Sequence, residues 1–264
     1  MQLQDLRQIQ DRYHHIYIAP HFDDAALSCG GAIARYVAIG QEVLVITICA
    51  GYPSSANLTP FAGELHTQWG IEDDPVAARR QEELMAIGHL GADVFWLPEL
   101  DAIYRHPAYD SREAIFSTPA ADDPLRQILH RRLAQITERA SSAVYYFPLA
   151  VGNHVDHQIA YAVGCELADS GVTVAFYEDL PYAIAPNAVQ ERLDQIGIPL
   201  LPDVVDISQT LPRKLGAVAE YRSQIPVLFE SEEDMINALT RYATLVATEG
   251  TTYGERLWLR AVAQ

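Results

Sequence analysis

Cationic side chains are scarce in this chain. Lysine and arginine together number 18 against 35 aspartates and glutamates, a formal net charge of −17 over 264 residues. Nucleic-acid binding needs clustered Lys and Arg to neutralise phosphates, so this balance argues against such a partner. It argues equally against an anionic membrane surface. An acidic exterior of this kind mostly gives solubility. Cysteine is sparse as well. Cys29, Cys49 and Cys165 each lie in or beside an apolar pattern, with no zinc-ribbon spacing among them. They read as small, buried, reduced residues. No apolar run approaches the roughly 20 residues that cross a bilayer. The start, Met1 to Leu6, is polar and lacks a signal-peptide core. The chain is therefore expected in the cytoplasm. The fingerprints G-x-x-x-x-G-K-[ST] and G-x-G-x-x-G are missing, which removes the usual nucleotide-binding readings. Ser28 has no G-x-S-x-G elbow around it, which argues against a serine hydrolase.

What remains is an ordinary globular composition, with 49% hydrophobic residues. A chain of this length should bury roughly 70–75% of its unfolded surface, so no metal or disulfide staple is needed for stability. Apolar runs at 14–20, 42–50, 92–97, 143–149 and 172–177 read as strands, with a sixth at 203–207. The run 42–50 is rich in β-branched residues, the mark of a strand buried on both faces. Helical periodicity occupies 25–39, 76–90, 124–139, 155–170 and 187–196, and mostly helix is expected from Leu211 onward. The stretches 51–75 and 99–123 read as long loops, which inside a compact domain are usually functional. Strands alternating with helices predict a mostly parallel sheet flanked by helices, a three-layer α/β, Rossmann-like fold. With no repeat, linker or low-complexity tract, residues 1–264 are expected to form one domain.

Right-handed crossovers would bring the ends of several strands to one edge of that sheet, where open α/β sheets bind ligands. His21, Asp23, Asp24, Asp101, His154, Asp156, His157 and Glu178 would collect there. Two short clusters stand out. Pro20-His21-Phe22-Asp23-Asp24 ends the first strand, and His154-Val155-Asp156-His157 follows the fourth. An isolated Asp-Asp after a strand is ordinarily a helix N-cap, and an isolated His-x-x-His is ordinarily a surface pair. Both plain readings weaken when the clusters follow different strands of one sheet. His21, Asp24, His154 and His157 are then four candidate metal ligands. A catalytic zinc usually takes three and keeps one position for water, so one of the four should do something else. Asp23 sits beside a ligand without being forced to bind, and so suits a general base. A spare histidine could stabilise an oxyanion or protonate a leaving amine, with Asp156 orienting it.

These clusters resemble the PIG-L/LmbE-like family of metal-dependent N-deacetylases. That family carries a His-Pro-Asp-Asp-type motif after the first strand and a His-x-Asp-His motif after a later one. Weaker matches are Arg79-Arg80-Gln81-Glu82 ahead of Gly91, Asp101 after the third strand, and Tyr221-Arg222-Ser223-Gln224. The resemblance implies that His21, Asp24 and His157 bind one zinc per chain, with iron or cobalt as alternatives. It implies Asp23 as general base, His154 at the oxyanion with Asp156 behind it, and Arg79 and Asp101 in substrate binding. The implied reaction removes the N-acetyl group from an N-acetylglucosamine-type sugar or conjugate. An amidase on a non-sugar acyl amide and a non-catalytic sugar-binding protein are the alternatives, and a homo-oligomer is compatible with the sequence. Two residues depart from the family pattern. Ala25 replaces a glutamate, which should change the helix start, and Phe22 replaces a proline, which should change the loop's rigidity. Trp69, Tyr104 and Tyr109, in the two long loops, are candidates for stacking on sugar rings.

Overall fold

In a computed structural model, which describes residues 1–54, 58–71 and 73–260, eight strands form one sheet. The strands are β1 (Gln2–Leu3), β2 (Tyr13–Ala19), β3 (Glu42–Thr47), β4 (Asp93–Trp96), β5 (Val144–Pro148), β6 (Val174–Tyr177), β7 (Leu200–Asp206) and β8 (Gly254–Arg260). Their order across the sheet is β1-β4-β3-β2-β5-β6-β8-β7. All pairs from β1 to β6 are parallel. The two pairs made by β8 are antiparallel. The helices are α1 (Asp24–Ala38), α2 (Pro60–Gln68), α3 (Pro75–Leu90), α4 (Ala102–Arg105), α5 (Arg112–Ile115), α6 (Leu125–Thr137), α7 (Val155–Asp169), α8 (Ala188–Ile196), α9 (Leu211–Val218), α10 (Ile225–Leu228) and α11 (Glu232–Leu245).

The central strands are buried along almost their whole length, as the Val/Ile-rich runs require. After β2 the chain winds outward through β3 to β4, then returns to place β5 on β2's other side. β2 and β5 therefore flank the switch point of the sheet, and the ligand crevice lies beyond their C-terminal ends. The loops that follow these two strands, together with the first turns of α1 and α7, carry His21–Asp24 and His154–His157.

Three expectations are corrected. The stretch from Leu211 carries the expected helices, α9 to α11, but ends in a strand that was not expected: β8 inserts between β6 and β7 and makes that side of the sheet antiparallel. The 51–75 stretch contains α2, started by Thr59 as N-cap with Pro60 in the first turn. The 99–123 stretch contains α4 and α5. Phe61, Ala62 and Leu65 of α2 pack with Ala102, Ile103, Tyr104, Tyr109 and Ile115 into a small second core. Residues 55–57 and 72 of the first stretch, and 261–264 at the end, lie outside the described residues. No described helix is long and apolar enough to cross a membrane.

Candidate active site

The first cluster sits at a strand-to-helix turn. Asp24 opens α1, and its Oδ2 accepts the backbone N–H of His21 at 2.7 Å, closing the turn three residues back. Phe22 drops into the core, edge-on to Trp96, and Tyr221 donates its hydroxyl hydrogen to the Phe22 carbonyl at 2.7 Å. The aromatic ring at the position of the family's proline thus anchors the turn by burial. α1 also begins at Asp24 with Ala25 buried in the second place, so the missing glutamate leaves the helix start in position.

The second cluster is delivered by a tight loop. Ala150, Gly152 and Asn153 all have positive φ, of 64°, 88° and 64°. A non-glycine residue in that region is strained, and such strain gathers at functional sites. At Gly152 a Cβ would fall 2.6 Å from the Tyr182 ring, so only glycine fits beneath it. The loop ends at His154, the N-cap of α7, whose Nδ1 accepts the Asp156 N–H at 3.3 Å. His157 follows one turn later and faces the same way.

The two clusters meet. His21 Nδ1 lies 3.4 Å from His157 Nε2 and 3.5 Å from Asp24 Oδ2, and the third side of the triangle, Asp24 to His157, is 3.4 Å. Ligands about 2.0–2.1 Å from a tetrahedral ion stand about 3.3–3.4 Å apart. These three atoms therefore fit one small four-coordinate cation. Each imidazole is also held from behind. His157 Nδ1 meets Asp179 Oδ1 at 2.7 Å, and His21 Nε2 meets Asp156 Oδ2 at 3.2 Å. Carboxylate-backed histidines are the usual outer shell of metal sites. His154 lies close enough to His21 and His157 to complete a three-histidine group. A further group, His21, Cys49 and Asp156, is compact enough as well. Its Asp156 is ion-paired to Arg105 at 2.5 Å, however, and that guanidinium opposes a cation there.

Electrostatics point the same way. Burial alone would discharge the imidazoles, but Asp101, Asp156 and Asp24 push the His21 pKa well above its ordinary value. Asp24 and Asp179 do the same, less strongly, for His157. Burial pushes the Asp24 carboxyl up, but the His157 and His21 charges outweigh it and hold the group at about 2. A surround that favours positive imidazoles favours a bound cation for the same reason. His154 goes the other way: burial, then the His21 charge, drive its pKa well below the ordinary value, so it is neutral.

Asp23 stands outside the triangle. Its Oδ1 receives Arg79 Nη2 at 3.3 Å, while burial, helped by the Asp24 charge, raises its pKa against the pull of Arg79. Arg79 lies over the rings of Phe22 and Trp69, and its buried Nε has no hydrogen-bond partner among the described residues. The two weaker motifs also touch: Glu82 accepts the Ser223 N–H at 2.8 Å and the Ser223 hydroxyl at 2.7 Å. Asp101 caps α4 through Ile103 N–H and approaches His21 Nε2 at 3.5 Å. The Asp156 carboxylate spends its hydrogen bonds on His21, Arg105 and the Ala102 N–H, and reaches His154 through its own backbone N–H. An open cleft joins His21, Asp23, Asp24, Arg79, Asp101 and His154 to apolar walls from Leu65, Trp69, Ile103, Ile115, Phe116 and Tyr182.

Several expected positions resolve differently. Glu178 is not at the cleft; it accepts from Tyr242, Arg256 and Trp258 on the far side. Its neighbour Asp179 is the residue that backs His157, and sequence reasoning passed over it. Of the three aromatic candidates, Trp69 lines the cleft, whereas Tyr109 is buried with its hydroxyl on Asp123 and Tyr104 is buried against His66.

Comparison with known proteins gives a consistent answer. The PIG-L family profile, described as GlcNAc-PI de-N-acetylase, matches residues 16–168. A 2'-N-acetylparomamine deacetylase from Niallia circulans is 32% identical over 252 residues, covering 86% of this chain and 87% of that protein. A protein of the same name from Streptomyces fradiae is 31% identical over 253 residues, covering 94% of this chain and 85% of that one. The crystal structure of the zinc-inhibited form of teicoplanin deacetylase superposes with a TM-score of 0.81 at 27% identity, covering 95% of this chain and all 100% of that one. With more than half its length matched by the profile and its two histidine clusters joined at one sheet edge, this chain belongs to the PIG-L family of N-deacetylases.

Proposed function

We propose that this protein is a zinc-dependent hydrolase that removes the N-acetyl group from an amino sugar carried in a larger conjugate. The observation that carries the reading is the triangle of His21, Asp24 and His157, with Asp23 beside it and outside it. Relatives named as deacetylases of an acetylated paromamine support an amino-sugar substrate. Zinc held by those three side chains would bring the pKa of a water toward roughly 7 and polarise the acyl carbonyl.

The chain's own residues supply the rest. Asp23 accepts the proton of the attacking water at its carboxylate and returns it to the departing nitrogen, so acetate and a free amine result. Arg79 fixes that carboxylate in place. His154 accepts the Asp156 N–H at Nδ1, which leaves its proton on Nε2. A neutral N–H of this kind is suited to the charge that develops on the carbonyl oxygen. Trp69, Phe116 and Tyr182 offer ring faces and edges to the sugar at the mouth.

Metal analysis of the purified protein, followed by acetate release across N-acetylated sugars, sugar conjugates and simple acyl amides, tests the proposal. Asp23→Ala should retain metal and lose about a hundredfold or more of kcat, the scale of general acid–base catalysis. Wild-type turnover in that variant would remove Asp23 from the mechanism. Preference for simple amides over sugars would overturn the substrate class.

A further inference from the structure

Behind Asp23 lies a second, smaller hollow. It has room for one water-sized group, about 10 Å³, and its accessible wall is wholly apolar. It shares Asp23, Leu27, Gln224 and Leu228 with the reaction cleft. Val218, Ile225 and Phe229 close its far side. Tyr221 also borders it, but its hydroxyl is bound elsewhere, to the Phe22 carbonyl. Interiors are packed nearly without voids, and a methyl-sized gap in a core is destabilising. Here the gap stands next to the carboxylate assigned to proton transfer.

We propose that this recess receives the methyl of the acetyl group, and that Leu228 and Val218 set the length of acyl chain the enzyme accepts. The proposal rests on the deacetylase reading above and deepens it. A carbonyl under attack has three substituents to place besides the incoming oxygen. Its oxygen belongs toward the His21–Asp24–His157 triangle and His154. Its nitrogen carries the sugar and must face the open mouth, where Trp69 and Phe116 stand. The remaining direction, for the methyl, is the floor beside Asp23, and Leu27 and Leu228 are the apolar side chains there. Leu228 is only half-buried, so a change of rotamer opens the shared wall without moving backbone. A recess of this size holds one methyl and refuses the next methylene, whereas a flat wall would accept any chain length.

The test is a series of N-formyl, N-acetyl, N-propionyl and N-butyryl forms of one octyl glucosaminide, with kcat/KM measured for each on the metal-loaded enzyme. One methylene in an apolar pocket changes kcat/KM by about tenfold or more. Wild type should therefore favour acetyl over propionyl by at least about that factor. Leu228→Ala should raise the propionyl-to-acetyl ratio about tenfold, and Val218→Ile, which fills the recess, should raise the formyl-to-acetyl ratio by a similar amount. Thermal unfolding and metal content confirm that each variant is intact, and the two act in opposite directions, so general damage cannot imitate both. Equal use of acetyl and butyryl by wild type, or ratios unmoved in both variants, would overturn the recess while leaving the deacetylase intact. Release of no carboxylate from any member removes the deacetylase reading, and the recess falls with it.

Discussion

Asp179 places one oxygen on His157 Nδ1 at 2.7 Å and the other on the Val151 N–H at 2.8 Å. It thus orients an imidazole and pins the strained loop that delivers His154. Asp179→Ala should weaken metal binding by about 10–100-fold, the usual effect of losing a carboxylate behind a ligating histidine. Competition with a chelating dye measures it, and unchanged affinity would show that the carboxylate does not tune the site. Asp179→Asn should recover only part. An amide can present its oxygen to the His157 N–H or to the Val151 N–H, but not to both. Glu178 and Asp179 are adjacent carboxylates at the end of one strand, and successive side chains point opposite ways. The sequence offers no means to choose between them until the partners of Glu178 are known. Those partners, Tyr242, Arg256 and Trp258, lie on α11 and β8. By contrast the two clusters were legible, because ligand chemistry restricts the residue types and one turn spaces His21 from Asp24 and His154 from His157, although only the family resemblance chose three ligands among those four.

At the scale of elements, β8 was hidden because neither of its faces is cleanly apolar. Glu255, Leu257 and Leu259 alternate with Arg256, Trp258 and Arg260. A strand announces itself by period-two contrast, and here tertiary partners neutralise the charges instead. Glu255 is buried and accepts Lys214 Nζ at 2.7 Å together with the N–H groups of Gly31 and Ala32 at 2.9 and 2.7 Å. Lys214 is the chain's single lysine. At Gly31 a Cβ would meet Ile207 at 2.8 Å, so the small residues of α1 admit both the carboxylate and its neighbour. Lys214→Met should destabilise by about 3–5 kcal/mol, because it leaves a buried carboxylate without its counter-charge. Adding Glu255→Gln should return part of that loss. Urea unfolding of the single and double variants checks it, and strictly additive effects would show that the ions are not coupled. α2, α4 and α5 were illegible for another reason. Helices of nine and four residues owe little to propensity and form because their apolar faces pack on one another.

For the whole molecule, the winding order around β2 and β5 concentrates titratable groups at one edge of the buried core. Strand–helix alternation made the mostly parallel sheet readable, but not the order of its strands. Alternation says nothing about a charged group left inside, and Glu83 is such a group. Fully buried on α3, one turn beyond Arg79, it accepts from the Thr47 hydroxyl and the Trp96 indole N–H. Burial raises its pKa from 4.5 to about 8, against the pull of those two donors and with a further push from Asp23. The folded protein then keeps a proton that the unfolded chain releases, so this group's contribution is full below about pH 4.5 and is lost as pH climbs toward 8. The slope is at most about 1.4 kcal/mol per pH unit, and the loss across the window is up to roughly 5 kcal/mol. Glu83→Gln keeps an acceptor for Trp96 and gives Thr47 a donor, but cannot ionise. Subtracting its stability from wild type cancels the titration of the cleft residues, which both proteins share. Denaturant unfolding from pH 5 to 8.5 should show the glutamine variant gaining steadily on wild type and then levelling off. A gap that stays constant with pH would mean that Glu83 ionises as readily in the folded protein as in the unfolded chain.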